Sequence, residues 1–307
     1  DLGGTSGWVA FEANAGVGLG VNIDRESPHA NIGSVTWPNF GWTTSEAYIS
    51  ELAWAQSFLD GTLIVQAGMI DQTLYLDVNS YANNNYGQLM NWAFVNSQVL
   101  PLSFGSLGAV VQWQPLDWLY VLYATGANNT PSGRPPWFEV SSDNWSHIGE
   151  IGFISEDTFG LGAGTLRVQP FLATVAGQTG GGVALNVEQS LGKDSPFAWY
   201  GRFGVGSQET AQLNGAKAQV ATGLVISAPS EEHKLKQLFD YVATGFAWTQ
   251  VATPGSIHSD EYVFEATIFR RITPTLGIQP DVQVIWDPAY GSSNVNVVFQ
   301  LQLVLTW

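Results

Sequence analysis

Glu261 and Glu265 stand four residues apart in a stretch where every second residue is apolar or aromatic. Tyr262, Phe264, Ala266 and Ile268 share one parity, while Glu261, Glu265, Thr267 and Arg271 share the other. Side chains of an extended strand point alternately to its two faces. The segment therefore has one oily face and one ionisable face. Two carboxylates on one face raise the question of acid–base catalysis. Four residues of strand span about 13 Å, more than the ~5–9.5 Å across which a glycosidase pair works; closer pairs would have to form across strands. The following segment repeats the pattern, with Gln279, Asp281 and Gln283 opposed to Leu276, Ile278, Pro280, Val282 and Trp286. Pro280 lacks a ladder donor, so a bulge or local irregularity is expected there. The same parity argument places Glu12, Asn14, Glu51, Gln66, Glu150, Arg167, Gln169, Asn186, Glu188, Arg202 and Asp240 on polar faces. Arg167, Arg202 and Arg271 are scarce cations among many acids.

Other chemistries find little support. His29, His147, His233 and His258 are isolated from one another, and the chain has no Cys. Neither a zinc-protease helix motif nor a phosphate-binding loop nor a nucleophile elbow occurs. Asp71, Asp77 and Asn79 lack the spacing of a calcium-binding loop. No catalytic residue, metal or cofactor is expected.

The elements that must hold these side chains are legible from the C-terminus backwards. Val295, Val297, Phe299, Leu301, Leu303, Leu305 and Trp307 alternate with Asn294, Asn296, Gln300, Gln302 and Thr306, with Val298 and Val304 as exceptions. Charged residues make up 12% of the 307 and hydrophobic residues 45%, about half the charge of an ordinary soluble domain. No run of about 18 apolar residues exists, so no membrane-spanning helix is expected. Low charge with oily–wet alternation is the pattern of a membrane β-barrel, with lipid outside and water inside. On its lipid face a charge costs a few kcal/mol at mid-membrane, which turns the acids inward. Net charge is −16, which excludes nucleic-acid binding through a basic surface and gives an acid-lined pore a preference for cations. The N-terminal Asp1-Leu2-Gly3-Gly4 lacks the basic start and apolar core of a signal peptide, so the chain reads as a processed or trimmed form.

Fourteen segments read as strands: 7–21, 46–59, 62–70, 105–114, 117–125, 147–155, 163–175, 181–191, 196–207, 217–228, 237–250, 260–271, 275–286 and 294–307. No helix of useful length is expected beyond a short turn at 230–236. If the last strand runs down to the periplasm, the links at 60–61, 115–116, 156–162, 192–195, 229–236 and 272–274 fall on the periplasmic side and are short. Those at 71–104 and 126–146 fall outside and are long. Outer-membrane barrels show this asymmetry, together with even strand numbers. Two further strands around 31–42 would give sixteen, with fourteen or eighteen as alternatives. The expectation is one all-β domain over 1–307, a transmembrane antiparallel barrel in the outer membrane of a Gram-negative-type bacterium.

From Ile49 onward the chain resembles the carbohydrate-selective porins, the OprB family. The resemblance rests on ISELAWAQSFLDGTLIVQAGMID (49–71), WAFVNSQ (92–98), GAVVQWQPLDWLYVLYATGANN (108–129) and, most specifically, DEYVFEATIFRRITPTLGIQPDVQVIWDPAYG (260–291). It implies a barrel that passes small hydrophilic solutes or sugars passively. The family is taken to combine acids and bases at its constriction; here the last basic residue is Arg271.

Glu150, Arg167, Glu188, Arg202, Asp240, Glu261, Glu265, Arg271, Gln279, Asp281 and Gln283 are the expected pore-lining residues. The loop 71–104 is the expected constriction element, with Tyr81, Asn84, Tyr86, Trp92 and Asn96, because amides bond hydroxyls and rings stack on sugar C–H faces. Trp113, Trp118, Trp137, Trp286 and Trp307 are placed as interfacial girdle residues. The expected partners are outer-membrane lipid and small polar solutes or sugars. Porins often form homotrimers, but no interface is legible here. A structural or adhesive barrel with a blocked lumen is the alternative, and a soluble sugar-binding or glycosidase domain a third.

Overall fold

A computed structural model describes residues 6–15, 32–39, 47–128, 141–193, 195–227, 238–252 and 254–305. Fourteen strands form one sheet in sequence order, every neighbour antiparallel. They are β1 (Gly7–Ala15), β2 (Ala47–Phe58), β3 (Leu63–Ile70), β4 (Ser106–Leu116), β5 (Leu119–Ala127), β6 (Trp145–Ser155), β7 (Gly164–Val175), β8 (Gln178–Ser190), β9 (Phe197–Gly206), β10 (Ala216–Ser227), β11 (Tyr241–Val251), β12 (Asp260–Thr273), β13 (Leu276–Trp286) and β14 (Val295–Leu305). Each corresponds to one of the segments that alternation marked out.

The two extra strands needed for sixteen do not appear among the described residues. Residues 32–39, where they were expected, are irregular and largely buried. The turn at 230–236, Trp137 and Trp307 lie outside the described residues. Among the described residues β1 and β14 do not pair, so the sheet is open at that seam. Pro280 causes no bulge. It pairs in register with Leu301, and the β12–β13 register continues unshifted from Thr267↔Asp281 to Arg270↔Ile278. Because Pro280 has an outward-facing side chain and lacks an N–H, it costs the sheet a local bond rather than its register.

Two short helices were not foreseen. α1 (Trp92–Val95) lies in the long link between β3 and β4, and α2 (Gln208–Asn214) joins β9 to β10. The signals for α2 were present. The Ser207 hydroxyl accepts from Thr210 N at its start, and Gly215 at φ 77 closes its end, donating N–H to Ala211 O. Gly takes this left-handed position without the Cβ clash that other residues meet.

Outward positions are exposed and apolar, among them Val9, Phe11, Trp54, Leu172, Leu224, Phe299, Leu301, Leu303 and Leu305. Inward positions of β2–β13 are mostly buried and those of β1 and β14 half-buried, and what covers them is the chain itself. The link 71–105 folds back against the inner face. Tyr75 meets Glu51 of β2 and Gln66 of β3. Leu76, Leu100 and Leu102 cluster with residues of β4–β8, including Val110, Leu122, Ile148, Phe171 and Ala184. Leu89 and Phe94 cluster with Tyr200, Val225, Tyr241, Ala243, Val263, Phe269 and Ile285 of β9–β13. Tyr75 meets Gln66 of β3, yet Asp77, two residues on, meets Arg202 of β9; laid flat those strands would stand about 29 Å apart at ~4.8 Å each, beyond the reach of two residues and their side chains. The sheet must curl around the link, and the enclosed space is the lumen.

Candidate functional site

The inward acids do not line an empty channel. Glu150, Glu188, Glu261 and Glu265 each take backbone N–H groups from the segments folded inside. Glu150, 1% exposed, accepts from Asp77 N (2.9 Å), Tyr120 Oη (2.6 Å) and Gln169 Nε2 (2.7 Å). Glu188 accepts from Ser80 N (2.5 Å) and pairs with Arg167 Nη2 (3.1 Å). Glu265 accepts from Met90 N (2.6 Å) and Asn91 N (3.0 Å). A buried carboxylate needs such donors, since an unpaired one costs several kcal/mol.

Arg202 ties the two limbs of the link together. It is fully buried; its Nε donates to Asp77 Oδ2 (2.9 Å), its Nη2 to Asp77 O (3.0 Å) and its Nη1 to Phe94 O. The Asp77 carboxylate also accepts from Ser97 N (2.7 Å) and Asn186 Nδ2 (2.6 Å). Asp77 sits at φ 60, a left-handed conformation that costs a residue with a Cβ about 1–2 kcal/mol.

A second inward segment, residues 32–39, had no sequence signal. Glu261 holds it: Oε1 accepts from Ser34 Oγ (2.7 Å), Thr36 N (3.0 Å) and Thr36 Oγ1 (2.6 Å), and Oε2 accepts from Val35 N (2.9 Å) and Ala289 N (2.9 Å). Gln283 Nε2 donates to Pro38 O (2.7 Å), while its Oε1 accepts from Asn91 Nδ2 (3.0 Å). Trp37 and Trp92 pack edge to face at 5.3 Å, joining the two segments.

The remaining candidates divide by height. Gln279 Nε2 donates to Gln88 O and to Thr267 Oγ1 (3.1 Å). Asp281 accepts from Gln283 Nε2 (3.0 Å) and Gln300 Nε2 (3.4 Å). Arg271 and Asp240 stand at the short-turn end rather than along the inner wall. Arg271 is exposed at the end of β12, and Asp240 precedes β11, accepting from Arg271 N (2.6 Å) with Arg270 Nη1 at 3.7 Å. In the link, Tyr81 O accepts from Tyr241 Oη (2.6 Å) at the first residue of β11. The tip therefore reaches the short-turn end of the lumen. There Asn84 Oδ1 accepts from Tyr86 N (2.9 Å), and Tyr86 is half exposed. Trp92 and Asn96 are buried in the return limb. Tyr120, which joins Glu150 to Arg167 (Nε–Oη 3.0 Å), was not among the expected residues. Its inward parity was readable, but an aromatic at a strand end reads first as girdle.

At the root of the link, Asp71 follows β3 and accepts from Thr73 N (3.0 Å) and Thr73 Oγ1 (2.6 Å). Burial, opposed by these two bonds and reinforced by Glu12 and Glu51, raises its carboxyl from 3.8 to about 6. Because the folded value lies above the unfolded one, the seated link holds this proton more tightly. The seat is strongest at low pH and weakens as pH rises through about 6. Ser103, 4% exposed and bonded through its N to Gln72 Oε1 (3.0 Å), reports on this root. Maleimide labelling of Ser103→Cys, normalised to exposed Ser142→Cys, is expected to be faster at pH 7.5 than at pH 5. Adding Asp71→Asn is expected to remove the difference, and a difference that persists in that variant would refute the assignment.

No protein-family model matches the sequence, and no curated relative matches it. Among solved structures, the high-pH structure of Pseudomonas putida OprB aligns over 89% of this chain and 76% of its own length, with a TM-score of 0.69 and 15% identity. The chain shares the OprB fold. The low-pH structure of the same OprB aligns over 84% of this chain and 67% of its own, at a TM-score of 0.53 and 16% identity. At this identity the likeness to OprB concerns the path of the backbone, and the residues inside must be argued from their own contacts.

Proposed function

We propose that the chain is an outer-membrane porin of a Gram-negative-type bacterium. It admits small hydrophilic solutes by passive diffusion, with the two inward segments setting the bore. The observation that carries this reading is the coincidence of the OprB fold with an apolar outer face and an inner one that carries hydrogen-bonded acids, amides and arginines between its apolar clusters. Sugars are the proposed solute class, on the strength of the OprB resemblance and of the amides and ring of Asn84 and Tyr86 at the short-turn end. A cation preference is proposed from the net charge of −16. Glu261 and Glu265 are each 0% exposed and bonded to backbone N–H groups of the inward segments, so they act by holding the inward segments rather than as a charged lining.

A second reading, a structural barrel with a blocked lumen, is favoured by the two apolar clusters through which the link packs against the wall. Liposome swelling separates the two. Vesicles carrying the protein are expected to swell in small polyols and monosaccharides, and more slowly as solute size grows. Swelling no faster than protein-free vesicles in every solute would leave the blocked barrel.

A further inference from the structure

The link between β6 and β7, residues 156–163, is a braced turn. Thr158 N donates to Gly162 O (2.8 Å), Leu161 N to Thr158 O (3.0 Å) and Gly162 N to Asp157 Oδ1 (3.0 Å). The turn is also fastened to the next one along the rim. Gly192 N donates to Leu161 O (2.6 Å), and Ser190 N donates to Ala163 O (2.8 Å). At its apex Phe159 is 98% exposed and held at φ 56. A braced backbone thus presents a large aromatic ring to the surroundings, in a conformation that side chains with a Cβ adopt only at a cost.

The ring does not stand alone. Leu161 on the same turn and Leu191 on its neighbour are also exposed. Directly along the strands come Phe153 of β6, Leu166 of β7 and Phe197 of β9, all outward-facing and exposed. The oily outer face therefore continues off the strand ends onto the turns. Asp157 caps Gly162 N, and Glu156, Asp157 and, on the adjacent turn, Lys193 are exposed. An apolar wedge flanked by charged side chains fits the headgroup–acyl boundary of a bilayer, where aromatic and aliphatic groups insert while charged groups stay at headgroup level and a Lys reaches the phosphates.

We infer that these two turns form a lipid anchor, with Phe159, Leu161 and Leu191 entering the leaflet at the short-turn end and Lys193 at phosphate level. The inference rests on the reading of the outer face as membrane-embedded. Its occupant is lipid rather than a protein because the patch is continuous with that face.

The chain has no Cys, so single positions take a label cleanly. Phe159→Cys, Leu301→Cys on the β14 outer face and Ser142→Cys on the long-link side are each labelled with a nitrobenzoxadiazole fluorophore. They are then reconstituted in phosphatidylcholine vesicles with and without brominated acyl chains. Phe159→Cys removes an exposed side chain and leaves the turn's bonds in place. The label at 159 is expected to lose at least half as much fluorescence to brominated lipid as the label at 301, and to be several-fold less accessible to aqueous iodide than the label at 142. If 301 is quenched by lipid while 159 behaves like 142, the turn stands in water and the anchor is overturned, whatever protein it might then meet. If 301 also behaves like 142, the membrane reading falls, and the anchor with it.

Discussion

Arg202→Met is expected to weaken the seat of the inward link by about 3–5 kcal/mol, the usual cost of leaving one partner of a buried ion pair without the other. The guanidinium holds Asp77 on one limb through Nε and Nη2 and Phe94 O on the other through Nη1. Both side chains are wholly buried, so no water replaces the lost charge. The readout is the maleimide reactivity of Ser97→Cys, a near-isosteric change at a position 1% exposed, whose backbone N–H to Asp77 is retained. A seat weakened by about 3 kcal/mol should raise labelling about a hundredfold. Asp77→Asn combined with Arg202→Met removes the stranded charge and is expected to recover most of the loss. Labelling that is unchanged in Arg202→Met would mean that the apolar clusters alone hold the link.

Glu261→Gln carries the second large effect. Donors converge on both carboxylate oxygens, from Ser34, Val35, Thr36 and Ala289. An amide has one acceptor oxygen, and its NH₂ group would face N–H or O–H donors whichever way it turned. At least two bonds to a charged acceptor are lost, at about 1.5–3 kcal/mol each. Residues 32–39 then keep only their other bonds, among them those from Gln283 and Gln300 to Pro38 O, from Trp92 N to Trp37 O, Tyr290 N to Gly33 O and Gln98 Nε2 to Val35 O, and the contact of Trp37 with Trp92. Maleimide labelling of Val35→Cys, a position 7% exposed whose backbone N–H to Glu261 is retained, is expected to accelerate a hundredfold or more, with the strands still intact by circular dichroism. An unchanged labelling rate would show that Glu261 is not the principal hold.

The wall was legible in the sequence because its rule is local. Period-two alternation locates the fourteen strands and tells which side chains face inward, so Glu150, Arg167, Glu188, Arg202, Glu261 and Glu265 could be chosen from parity alone. What those residues bind was not legible. Asp77 and Arg202 are 125 positions apart, and Met90 and Glu265 are 175 apart. Nothing local to either partner marks such a contact. The strands expected around 31–42 completed a count of sixteen, whereas Ser34, Thr36 and the backbone amides there are donors to a distant carboxylate. α2 was missed for another reason: seven residues are too few for a helical period, although Ser207 and Gly215 marked both its ends. The charged inner face also invited a reading as bare pore lining. Charge parity shows which way a carboxylate points, but not whether water or an amide meets it there.

Single-channel recording of the purified protein in a planar bilayer, across a salt gradient, tests the central claim most directly. Small stable steps with a cation-biased reversal potential are expected for the wild type, with larger and noisier steps for Arg202→Met as the link loosens. A well-folded protein that gives no steps in either form would contradict the porin reading and leave a barrel closed by its own chain.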